Sequence, residues 1–237
     1  MTSDFLFQCT SGPAWWDLLP AATGAIIGAT TAAIPSYLLA RKSSKEVLER
    51  DMEARMEEKK STAFNAMMKL FSITNGLASL VKHIDTCLAQ SPPNTTPPLA
   101  DWQLVTSLTG FVEEDLLFEP KELSIFVEGK NPDFSNRLWE ISHRYIALDQ
   151  SFQKYCDLRE ALGQKISAID HGNFVSTRLT KEQLAKLTPQ IIDLSSLIKS
   201  IKQSCKEDFD TAKTLCNQFT EKVNSSLEIK DFPTLKF

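Results

Sequence analysis

The sequence predicts an all-α chain with one amino-terminal transmembrane helix, a charged helical stalk and an elongated antiparallel cytoplasmic helical bundle. Three observations carry this. Leu18 to Ala40 is a run of 23 residues without a charge, bounded by Asp17 and by Arg41-Lys42. Three long stretches downstream space their apolar residues three and four apart. Glycine occurs 8 times in 237 residues, too rarely for a sheet full of hairpin turns or a glycine-rich nucleotide fold.

Composition narrows the class further. Apolar residues at 42% and charged residues at 24% belong to a chain that folds rather than to a disordered one. Lys plus Arg number 26 against 30 for Asp plus Glu, a net charge of -4, which argues against nucleic-acid binding through a broad cationic surface.

Residues 1–17 read as a short extracytoplasmic amino terminus, and 18–40 as the span, since 23 residues at 1.5 Å each cross a hydrocarbon core of about 30 Å. No Lys or Arg precedes the run, so it lacks the positive region of a secretory signal. Acids before the span and Arg41, Lys42 and Lys45 after it set the amino terminus outside and the remainder in the cytoplasm, a bacterial inner membrane being the first candidate. Trp15, Trp16, Tyr37, Arg41 and Lys42 would occupy the two membrane interfaces.

Small and hydroxylated residues fill thirteen of the 23 span positions. The seven large aliphatics supply only about -3 to -4 kcal/mol of insertion drive. One stripe carries Gly24, Gly28, Thr31 and Pro35, with Gly24 and Gly28 in the GxxxG spacing that lets two helices approach closely in lipid. Pro20 suits a first turn, and Pro35 should kink the helix and free a carbonyl near Thr31.

Residues 41–62 form the stalk, dense in both charge signs with Leu48, Met52 and Met56 at i, i+4 and i+8, either continuing the span or capped afresh at Ser43 by Glu46. The bundle covers 63–227. Its first seam is Ala63, Met67, Leu70, Thr74, Leu77, Val81, Ile84 and Leu88, ended by the proline-rich loop 91–98. A second helix is expected over Leu99 to Phe118, and Pro120 opens a short one that Gly129 stops. Asn131-Pro132-Asp133 opens a long helix whose seam runs from Phe134 to Ile169 and is interrupted by Arg159, with Asp170 to Asn173 ending it. Thr180 and Gln183 cap a short helix, and Thr188-Pro189 opens the last long one, with a core face from Ile191 to Val223. Residues 228–237 read as a tail.

Chemistry is sparse. The only histidines are His83, His143 and His171, and the five cysteines include no CxxC. His83 and Cys87 stand at i, i+4, a spacing that can present two metal ligands, yet no second local pair completes a site. Cys205 and Cys216 fall on a buried helix face and read as reduced core thiols. No nucleophile elbow, zincin helix, phosphate loop or dinucleotide fingerprint is present, so no catalytic, cofactor or metal residue is assigned. Glu128 to Phe134 and Pro92 to Pro98 are the loops best placed to dock a partner.

These features predict a non-enzymatic single-pass membrane protein, an adaptor, scaffold or sensor. Its bundle would bind a protein partner or a second copy of itself through the transmembrane helix and stalk. The alternative is a membrane-acting effector of toxin or defence type, whose small-residue helix oligomerises to breach the bilayer.

Overall fold

The computed structural model describes the backbone at 15–91, 99–108, 116–166, 169–171, 174–176 and 181–234. Side chains are described at those positions from Ser36 onward, except at 169–171, 174–176 and Gln183. Residues Met1–Glu57 and Glu58–Phe237 form two compact units.

In the first unit the described backbone belongs to one helix, α1, which spans Trp15–Ala89. The fresh start at Ser43 is not used. Good helix formers fill positions 45–60, and the i, i+4 pairs Lys42–Glu46 (3.9 Å) and Lys45–Glu49 (3.7 Å) sit on its surface. Every side chain from Ser36 to Glu57 is exposed, including Leu48 and Met52 of the thin apolar stripe. Among the described residues no helix is long and apolar enough to cross a membrane. Residues 18–35 of the predicted span are described as helical backbone only, so their side chains lie outside the described residues.

The second unit is a helical bundle. Its elements after α1 are α2 (Asp101–Leu104), α3 (Pro120–Glu128), α4 (Pro132–Lys165) and α5 (Lys181–Leu227), with a small antiparallel hairpin, β1 (Ile169–His171) and β2 (Phe174–Ser176), between α4 and α5. The all-α class holds. The run around Asp170, expected only to end a helix, pairs as that hairpin in the register His171 with Phe174. Helix α4 therefore stops at Lys165, and Ile166 turns to an extended conformation.

Contacts along the long helices give the topology. Thr74 meets Cys216 and Leu77 meets Cys205, so α1 and α5 are antiparallel. Arg144 meets Asp208 and Arg137 meets Gln218, so α4 and α5 are antiparallel too. Gly76 lies under Tyr145 and His83 beside Phe152, which makes α1 and α4 parallel. An all-antiparallel bundle was expected, but a parallel pair requires the chain to travel back between them.

Between them a helix over Leu99 to Phe118 was expected, of which residues 99–108 and 116–118 are described. Among the described residues only α2 is helical there. Val105 is extended, and Leu116 and Phe118 are buried with exposed Leu117 between them, the alternation of an extended chain rather than a helix. β-branched Val105 and Thr106 weaken helix propensity, but tertiary contact decides: the described pieces 99–108 and 116–119 form a strap whose carbonyls are met by side chains of α1 and α4.

Because α1 touches both other long helices, its buried face is two rows wide. The predicted seam is joined by Ala66, Ile73, Leu80 and Cys87, each seven residues from the next. On α5 the predicted core residues are buried from Leu194 to Val223, with Ile191 and Phe209 only partly covered. Two separate helices were expected there. Helix α5 instead runs through Pro189, whose missing N–H frees the Ala185 carbonyl at an exposed position, while Thr188 Oγ1 donates to Leu184 O (2.7 Å).

The carboxyl-terminal segment, expected as a tail, folds back as far as residue 234. Phe232 is buried and lies against Phe219, with ring centroids 6.3 Å apart. Its N–H donates to Asn224 Oδ1 (3.3 Å), and Thr220 Oγ1 donates to Pro233 O (2.7 Å). Glu228 adopts a left-handed conformation (φ 54) that lets the chain reverse. Phe126, Phe134 and Phe219 complete an edge-to-face cluster at this end, with centroids 5.0 to 6.0 Å apart.

Polar groups inside the bundle are unevenly satisfied. Glu122 Oε2 accepts from the Glu119 N–H (2.8 Å) and from Lys69 Nζ (3.0 Å), capping α3 and tying it to α1. On the surface Glu58 and Lys121 pair at 2.6 Å, which holds the Glu58 carboxyl below and the Lys121 ammonium above their ordinary values. Asp149 on α4 is buried; its Oδ2 accepts from Gln153 (2.9 Å) while Oδ1 has no partner, and burial pushes its carboxyl above the usual range.

An alanine Cβ at Gly129 would come within 2.4 Å of the Ser226 backbone, and one at Gly76 within 2.3 Å of the Tyr145 hydroxyl, whose ring is itself buried. Gly129→Ala and Gly76→Ala should each cost about 1–3 kcal/mol in urea denaturation. Gly163→Ala, with nothing within 4 Å, should stabilise by up to about 1 kcal/mol. Asp149 binds its proton more tightly in the fold than in the unfolded chain, so its contribution to stability falls as pH rises from the ordinary carboxyl pKa through the raised one. Asp149→Asn should therefore be more stable than the parent at neutral pH and match it near about pH 3, read as melting temperature against pH.

Candidate functional site

Two regions carry the sequence-predicted functional residues, the amino-terminal helix and the bundle's loops. Trp15, Trp16, Gly24, Gly28, Thr31 and Pro35 all fall within α1, and their side chains lie outside the described residues. Tyr37 is the first of the predicted interface residues to be described, 67% exposed, with Leu38 and Leu39 exposed beside it and Arg41 and Lys42 following. An exposed aromatic and two exposed leucines next to cations form a band that is apolar on one side and charged on the other.

Of the two loops expected to dock a partner, Pro92 to Pro98 lies outside the described residues. The other, Glu128 to Phe134, is held to the bundle. Glu128 pairs with Lys59 (2.7 Å). Asn131 Nδ2 donates to Gly129 O (3.0 Å) and to Ser226 Oγ (3.2 Å), and Lys222 Nζ donates to Asn131 Oδ1 (3.4 Å). Asn131 occupies the N-cap position of α4 as expected, but its side chain makes no cap bond because it is engaged with α5. Lys130 has a positive φ (61) at the turn between α3 and α4. Phe118, Phe126 and Phe134 of the aromatic stretch 111–145 are core, whereas Trp139 is exposed and stacks on His143, whose Nδ1 donates to Trp139 O (2.9 Å).

The densest polar arrangement in the bundle surrounds the strap. Tyr155 Oη bonds the carbonyls of Trp102 (3.0 Å) and Val105 (2.8 Å). Arg159 donates to the carbonyls of Trp102 and Gln103, both at 3.2 Å, and Lys69 donates to Leu117 O (3.0 Å). The break that Arg159 makes in the α4 seam is explained: the position faces backbone oxygens that need a donor. No periodicity in the sequence marks this, because the partners lie more than fifty residues away. Burial raises the Tyr155 phenol to about 12, so it stays protonated and able to donate.

His83 belongs to the same arrangement. Its Nε2 lies 2.8 Å from Thr106 O, and a nitrogen beside a carbonyl oxygen must carry the proton. Cys87 Sγ sits 3.7 Å from that same nitrogen and 3.7 Å from Thr106 Oγ1. With its proton committed to the carbonyl, Nε2 offers Cys87 neither a base nor a joint metal site. Among the described residues no cluster of three metal-ligating side chains forms. Burial lifts the Cys205 thiol to about 12 and the Cys216 thiol to about 11, leaving both protonated, with Cys205 Sγ donating to Leu77 O (3.6 Å) and Cys216 Sγ 3.2 Å from Thr74 Oγ1. Thr74 Oγ1 donates to Leu70 O (2.7 Å), so the Cys216 thiol is the donor in that contact. A groove of 750 Å³ opens beside the strap, lined in part by Trp102, Cys156, Arg159 and Ile166, but the Arg159 donors face the strap carbonyls.

This geometry does structural work. Tyr155→Phe leaves the Val105 carbonyl without its donor and should cost about 1–3 kcal/mol, and Arg159→Met, which strips the Gln103 carbonyl, should do the same. Limited proteolysis should then cut within 99–108 at least tenfold faster than in the parent, while far-ultraviolet circular dichroism stays helical.

No known protein family, curated protein or solved structure matches this chain.

Proposed function

We propose that the chain is a single-pass membrane-anchored helical interaction protein, an adaptor, scaffold or sensor without catalytic activity. The observation that carries the reading is the uncharged run 18–40 between Asp17 and Arg41-Lys42, lying within the helical backbone of α1 and ending in exposed Tyr37, Leu38 and Leu39 against Arg41 and Lys42. The charge asymmetry supports an orientation with residues 1–17 outside and the bundle in the cytoplasm. The bundle then presents a partner with helix surface, on which Trp139 stacked with His143 is the most anchor-like exposed aromatic.

The Gly24 and Gly28 spacing together with Pro35 favours a second reading, a membrane-acting effector that oligomerises through this helix to disrupt the bilayer. In both readings the partners are the bilayer and another protein chain: a distinct protein for the adaptor, or a second copy through the transmembrane helix and stalk.

In the anchored protein, the full-length chain should remain with membranes after alkaline carbonate extraction, and a chain of residues 43–237 should be soluble and helical. Recovery of the full-length chain in the soluble fraction would overturn the anchor. Gly28→Leu separates the two readings: it should leave co-purification of a partner unchanged in the adaptor, and abolish both oligomer and toxicity in the effector.

A further inference from the structure

We propose that a notch between α4 and α5 binds a small zwitterion, a free α-amino acid with a short aliphatic side chain. The notch has a volume of 230 Å³, room for about eight non-hydrogen atoms at the space a water molecule takes, which is the size of valine. Leu148, Leu197 and Ile201 give it an aliphatic wall. The proposal does not depend on the membrane reading; it gives the bundle a solute to sense.

The built feature is Asp208. It lines the notch although the residue is only 2% exposed. Arg144 Nη2 approaches its Oδ1 to 2.5 Å, but out of alignment, so that oxygen accepts no well-formed hydrogen bond. A carboxylate offers about four lone-pair sites, and a buried one left short of donors is costly. Burial accordingly pushes the Asp208 carboxyl up, against the opposing pull of Arg144. A ligand ammonium supplies the donors that are lacking.

Arg144 supplies the complementary half. Its side chain is 42% exposed, and among the described residues its guanidinium reaches, beyond Asp208, only Glu140, at 3.5 Å. With five N–H donors it retains a free edge for a carboxylate without leaving Asp208. Ser200 and Ser204 line the same notch, and neither hydroxyl is engaged by a described residue. A lone anion would meet the Asp208 carboxylate and a lone cation the Arg144 guanidinium, so the pair together favours a ligand carrying both signs a few ångströms apart.

The test is calorimetric titration of the purified full-length chain with L-alanine, L-valine and L-leucine, using isobutylamine and isobutyrate as single-charge controls. Saturable binding of at least one amino acid is expected with a dissociation constant of about 1 mM or below. Each single-charge control should bind at least tenfold more weakly than the best amino acid. Ser200→Leu, which adds bulk at an exposed rim position, and Asp208→Asn should each weaken binding at least tenfold. Absence of saturation with all three amino acids overturns the proposal. So does isobutylamine binding as well as the amino acids, or binding unchanged in both variants.

Discussion

A non-helical segment laid against a helical bundle brings its own backbone polar groups with it, and they must find partners. The described residues 99–108 and 116–119 meet donors from the flanking helices: Tyr155 and Arg159 from α4, His83 and Lys69 from α1. The arrangement of the rest follows. Helix α4 runs parallel to α1, and α5 lies antiparallel to both. A helix would have satisfied its own backbone, whereas these carbonyls depend on side chains of α1 and α4.

The three long helices share one interior, which explains why α1 buries two adjacent rows rather than one. Ala66, Ile73, Leu80 and Cys87 are buried beside the predicted seam, of which Thr74 and Leu77 meet α5. Small residues admit the closest approaches, with Tyr145 over Gly76 and Ser226 over Gly129. Charged groups are admitted where a partner reaches them, as Lys69 reaches Glu122 between α1 and α3. Where the partner is incomplete, as at Asp149 and Asp208, the carboxyl shifts toward its neutral form, and these two places concentrate the bundle's polar strain.

Much of this was legible in advance. The seam residues from Ala63 to Ile84, from Phe134 to Tyr155 and from Leu194 to Val223 are those the bundle buries or half-buries, because burial on a helix leaves a local period of three and four. The ends of α3 were equally readable from Pro120 and Gly129, and the start of α4 from Asn131-Pro132. The strap was not, since Trp102, Val105, Leu108 and Leu116 fit a helical spacing as well as an extended one and no local signal separates them. Arg159 appeared only as an interruption. Its partners are backbone oxygens far away in the chain, which leave no trace in a side-chain pattern.

The residues by themselves determined the helical class, the buried faces, the caps that proline and glycine make, and the uncharged segment 18–40 with its flanking charges, because each depends on spacing or chemistry within a few turns of one helix. Tertiary structure alone decided the direction of α4, the non-helical course of the described residues 105–108 and 116–119, the continuation of α5 through Pro189, the return of Phe232 onto Phe219, and the meeting of Arg144 with Asp208. Each of these depends on which distant surface covers a group, and local propensities of a fraction of a kcal/mol per residue yield to that burial.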